Sequence, residues 1–103
     1  MIKGRKVITL CGSRKFQDDF KRINEQLTLK GNIVISLGVF STEVDDSQKA
    51  MLDEIHKCKI DLSDAIYVVN RDGYIGKSTT SEIAYAKSLG KEVTYFQNPS
   101  SSP

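Results

Sequence analysis

The sequence predicts a three-layer α/β domain of the Rossmann-like or flavodoxin-like kind. It has a parallel sheet of four to five strands, in an order near 2-1-3-4, with helices on both faces. Two observations carry this. Short β-branched runs alternate along the chain with amphipathic segments at helical spacing, the pattern of successive βαβ units with right-handed crossovers. The run Asp64-Ala65-Ile66-Tyr67-Val68-Val69-Asn70 also has no internal polar break, which suits a parallel strand buried on both faces. The 103 residues leave room for one core but not for two, so residues 1–97 are read as a single domain. Residues 98–103, Asn98-Pro99-Ser100-Ser101-Ser102-Pro103, are read as a flexible tail, because nothing in them builds a packed element.

Val7-Ile8-Thr9-Leu10-Cys11 is the first strand, bounded by charge before it and Gly12-Ser13 after it. Phe16, Phe20, Ile23 and Leu27 then recur at helical spacing up to a stop at Gly31. Ser13 is placed to cap this helix, and Asp18 and Asp19 suit the positive end of its dipole. Asn32-Ile33-Val34-Ile35-Ser36 follows as the second strand after a link short enough for a helix-to-strand return. The stretch from Leu37 to Asp46, with Phe40, Ser41 and Thr42, has no periodicity and reads as a loop. From Ser47 to Ile60 an apolar stripe of Met51, Leu52 and Ile55, with Ala50 and Cys58 nearby, marks a second helix. The long uninterrupted strand comes next. The turn-rich segment Arg71 to Thr80 follows, then a helix to Leu89 stopped by Gly90, and Lys91 to Phe96 is the last strand.

Composition narrows the function classes. Fifteen basic and thirteen acidic residues alternate along the chain to a net charge of only +2, so no nucleic acid polymer is expected as partner. No apolar run approaches the roughly 18 residues of a membrane span, and the start of the chain carries no export signal, so a cytoplasmic protein with no membrane partner is expected. Cys11 and Cys58 lack the spacing of a disulfide framework or a metal site and read as small core residues. His56, between charged neighbours, reads as solvent-exposed and without a role.

In this topology a ligand crevice is expected at the carboxyl ends of the strands, between the loop at Gly12 and the loop from Gly73 to Thr80. Cys11-Gly12-Ser13-Arg14 offers a glycine for close backbone approach, a hydroxyl at a helix start and a cation able to pair with phosphate. It lacks the three spaced glycines of a dinucleotide fingerprint, so no cofactor is expected. Gly76-Lys77-Ser78-Thr79 contains the Gly-Lys-Ser of a P-loop, but Arg71 stands where that motif needs its first glycine. Its hydroxyls and helix start still suit a small anion or a sugar. Asp72 and Gly73 belong to a turn. Tyr74 is placed to stack on a base or sugar, or to roof that turn. Asp64 is either a cap at the strand mouth or a partly buried acid in need of a partner. Glu82, about one turn inside the third helix, is the best candidate for chemistry.

The strand ending Cys11-Gly12-Ser13 with Phe16 after it, Asp64 at the start of the buried strand, and Asp72 to Thr79 leading into Glu82-Ile83-Ala84-Tyr85-Ala86 together resemble the nucleoside 2-deoxyribosyltransferase-like proteins. The likeness runs from Val7 to Phe96. It implies a glutamate, here Glu82, that attacks the anomeric carbon of a nucleoside, releases the base and is displaced by water or a second base. It further implies that Ser78 and Thr79 contact the sugar or its phosphate and that Asp64 or Asp72 helps hold sugar or base. Many members carry an aspartate six residues before the glutamate, where this chain has Gly76. The resemblance also implies a homodimer or larger homo-oligomer, and the wider group includes modules that bind nucleotide-derived ligands without turning them over.

Overall fold

A computed structural model describes residues 1–38 and 43–98. Phe40, Ser41 and Thr42 of the expected loop and the tail beyond Asn98 lie outside the described residues. The elements follow the predicted alternation: β1 (Val7–Gly12), α1 (Gln17–Leu29), β2 (Ile33–Ile35), α2 (Asp46–Asp61), β3 (Ala65–Val69), α3 (Lys77–Ser88) and β4 (Glu92–Tyr95). Two single 3₁₀ turns, Arg14–Phe16 and Arg71–Gly73, stand at the carboxyl ends of β1 and β3.

The four strands form one parallel sheet in the order β2-β1-β3-β4. Burial is deepest in the two central strands, where Leu10, Cys11, Ile66, Val68 and Val69 have no solvent exposure. The strand period of two divides these side chains between the faces. Cys11, Ile66 and Val68 pack with Ile60 of α2 and Ala86 of α3, while Leu10 and Val69 pack with Phe20 and Ile23 of α1. One face of the sheet therefore carries α1, and the other carries α2 and α3.

Helix starts follow local chemistry. Ser13 accepts from the Lys15 amide and caps the 3₁₀ turn that leads into α1. Asp45 and Gln48 form a reciprocal capping box at α2. The third helix begins earlier than its turn-rich sequence suggests. Gly76 takes the extended N-cap conformation, so Lys77 to Thr80 form the first helical turn instead of a loop.

Two polar pins tie the carboxyl edge together. Arg71 donates twice to Asp19, at 2.6 Å each, joining the end of β3 to α1 and holding the Asp19 carboxyl below its usual range. Asn70 is fully buried; its side-chain amide donates to the Gln97 carbonyl and its carbonyl accepts from the Gln97 amide, both at 2.8 Å. This pair holds the chain leaving β4 against β3. Asn70→Ala removes both bonds, and the expected loss is about 2 kcal/mol at roughly 1 kcal/mol per bond. Urea unfolding measures it, and a loss below about 0.5 kcal/mol would show that water replaces the pair at no cost.

Candidate active site

Glu82 stands in the second turn of α3 and is turned inward, with 9% of its surface exposed. Its Oε1 lies 3.5 Å from His56 Nε2, and that same nitrogen lies 3.3 Å from Cys11 Sγ. A carboxylate from α3, an imidazole from α2 and a thiol from β1 thus meet beneath the sheet. The remaining exposed edge of Glu82 faces a cleft of about 230 Å³, lined also by Asp53 and Lys57 of α2 and by Lys77, Ser78 and Ser81 of α3.

The surroundings set the protonation of the cluster. Burial pushes the Glu82 carboxyl up to about 7; the Asp53 charge adds to this, while the Cys11 thiol and Lys57 oppose it. Burial, with Lys59, pulls the His56 imidazole down to about 4. Burial also pushes the Cys11 thiol well above its ordinary value, reinforced by Glu82. At neutral pH the imidazole is therefore uncharged, and its contact with Glu82 is a polar contact and not an ion pair.

These shifts predict an unusual pH dependence. Glu82 binds its proton more tightly folded than unfolded, so its contribution to stability falls as pH rises from 4.5 to about 7. His56 binds its proton less tightly folded, so its contribution rises from about pH 4 to 6.5 and is lost again on acidification. The two slopes oppose each other. Glu82→Gln exposes the histidine slope alone, and stability of this variant should climb by about 2 kcal/mol between pH 4.5 and 6.5. Urea midpoints across that range check it. A flat variant profile across that range would mean that the imidazole is not held neutral.

Of the residues expected in the crevice, Glu82 and Ser78 line this cleft, and Cys11 lies behind Glu82. Thr79 is buried in the first turn of α3. Gly12 faces protein: a side chain there would stand 2.7 Å from the Val69 carbonyl and 3.2 Å from the Phe20 ring, so the close approach it permits is that of β3 and α1. Ser13 caps the 3₁₀ turn, and Arg14 borders a separate cavity of about 240 Å³ between α1 and the end of β2, with Phe20 and Ser36. Tyr74 meets Phe16 edge-to-face at 6.0 Å, and Lys15 Nζ lies 3.5 Å from its ring, which bridges the two loops. Gly76 lies under that ring, and Asp72 and Gly73 form an exposed left-handed turn. Asp64 is at the opposite edge of the sheet. It accepts from the Val7 amide at 2.8 Å and from the terminal ammonium at 2.9 Å, about 17 Å of strand away from the carboxyl ends.

Three expectations about α2 are corrected. His56 is buried, not solvent-exposed, because His56 and Ile60, one turn apart, face the sheet. Met51 and Ile55, expected on the core side, are exposed. Cys58 is also exposed and not a core residue. The site residues Asp53, His56 and Lys57 were legible only as one polar face of α2 at three- and four-residue spacing.

The fold and this cluster define a small, doubly wound parallel α/β protein with a buried carboxylate–imidazole–thiol group beside a cleft. No family model matches the chain, and no curated protein matches it. Among the described residues, no helix is long and apolar enough to cross a membrane.

Proposed function

We propose that the chain acts on the N-glycosidic bond of a nucleoside or nucleotide, as a 2-deoxyribosyltransferase or nucleotide N-hydrolase, with Glu82 as nucleophile. The observation that carries this reading is the position of Glu82 at the inner wall of the cleft, with the hydroxyls of Ser78 and Ser81 and the ammonium groups of Lys57 and Lys77 around it. A carboxylate oxygen attacks the anomeric carbon, the carbon–nitrogen bond breaks, and the base leaves with the bonding electrons and takes up a proton. Water or a second base then attacks the same carbon and regenerates the carboxylate. The hydroxyls suit a sugar, and the two lysines suit its 5′-phosphate. The cleft is smaller than the roughly 300–1,000 Å³ of most ligand pockets, which favours a homo-oligomer in which a second copy closes it, inside the cytoplasm where nucleotides are found.

The test is incubation with a panel of deoxynucleosides and their 5′-monophosphates, followed by chromatography for free base. Base release faster from the phosphorylated substrates, and rising with pH through about 7 as Glu82 ionises, supports the reading. A second reading is a nucleotide-binding module without turnover, favoured by the contact of Glu82 with His56, which gives the carboxylate a partner inside the fold. Calorimetric binding of a nucleotide with no base liberated over long incubation would select it.

A further inference from the structure

We propose that Cys11, His56 and Glu82 form a binding site for a transition-metal dication of the Zn²⁺ class, with its fourth position open toward the cleft. The three donor atoms lie within 4.8 Å of one another. Nε2 of His56 is 3.3 Å from Sγ and 3.5 Å from Oε1. A tetrahedral zinc ion, with bonds near 2.3 Å to sulfur and near 2.0–2.2 Å to nitrogen and oxygen, needs its donors about 3.3–3.6 Å apart. Both measured separations match the edges of that tetrahedron.

Each donor comes from a different element, so the spacing is set by packing. Cys11 is carried by the central strand β1 beside Ile66 and Val68, His56 by α2 one turn before the buried Ile60, and Glu82 by α3 one turn before the buried Ala86. Donors on three packed elements need little rearrangement to receive an ion. One sulfur, one nitrogen and one oxygen make a borderline donor set that suits Zn²⁺ or Co²⁺, while Mg²⁺ and Ca²⁺ take oxygen ligands. A thiolate and a carboxylate balance the two positive charges, so the loaded cluster is neutral, as a buried site requires. Protons on the thiol and the carboxyl leave to solvent as the ion binds. The cleft along Glu82 is the access route, and three protein ligands with one open position is the arrangement of zinc sites that bind water or substrate. The site does not depend on the glycosidic reading. Where both hold, the ion takes the carboxylate that would attack the sugar, and metal loading silences that activity.

The test uses the Cys58→Ser protein, since the exposed Cys58 thiol would otherwise add its own signal. The protein is stripped with chelator and titrated with Co²⁺. The expected result is one equivalent bound, with a thiolate-to-cobalt charge-transfer band, tetrahedral bands in the visible and displacement of both by Zn²⁺. Cys11→Ser in the same background should abolish the charge-transfer band and weaken binding by more than about 100-fold, beyond what a change outside the ligand set costs. His56→Gln should weaken binding similarly and is read if the cysteine variant fails to fold by circular dichroism. Absence of the charge-transfer band in the parent, or its survival in folded Cys11→Ser, would overturn the proposal. No step of this test reads base release, so its failure is separate from failure of the enzymatic reading.

Discussion

Under the proposed glycosidic reaction, Glu82→Gln is expected to slow base release by about 10³-fold or more, equivalent to about 4 kcal/mol of barrier. Glutamine keeps the shape of the side chain and its place at the cleft. Its amide cannot form the glycosyl ester, so the covalent step is lost and not merely slowed by misplacement. The other cleft groups Lys57, Lys77, Ser78 and Ser81 are untouched by the change, so on the proposed reading nucleotide binding should stay within a few-fold of the parent by calorimetry. The substitution also removes a buried acid whose ionisation opposes folding above about pH 7, so the variant should be no less stable than the parent there. Lost turnover with retained binding and stability isolates the chemical role. A rate within tenfold of the parent would end the case for Glu82 as nucleophile.

Gly12→Ala is expected to destabilise the fold by about 3 kcal/mol or more and to lower the melting temperature by more than about 10 °C. The backbone at Gly12 has φ +151°, which side-chain-bearing residues rarely adopt, and the added carbon would overlap the Val69 carbonyl at 2.7 Å. That carbonyl belongs to the neighbouring central strand and cannot yield without disturbing the β1–β3 ladder, where Gly12 is in register with Val69. Strain at the backbone and overpacking in the core act together. Differential scanning calorimetry measures the loss. An alanine variant melting within about 3 °C of the parent would show that the strand end relaxes freely, and would return Gly12 to the role of admitting a ligand.

The two expectations rest on different kinds of information. The strands, their parallel order and the placement of a helix on each side of the sheet were legible in the residues, because alternation of β-branched runs with helical stripes is repeated within each segment. The position of Glu82 in a helix following the deepest strand was legible for the same reason. The boundary of α3 was less so: Lys77 to Thr80 look like loop residues, and only the extended Gly76 N-cap shows that they begin the helix.

Residue pattern alone dictates the doubly wound parallel topology and marks Glu82 as the candidate acid at the carboxyl edge of the sheet. What Glu82 meets is set by packing between distant elements. Cys11 and His56 are 45 residues apart, and His56 sits on a helix whose Met51 and Ile55 compete with it for the core. Which stripe of α2 turns inward depends on how the crossover from β2 to β3 lays the helix against Cys11 and α3. That is a global packing choice, and no local periodicity encodes it.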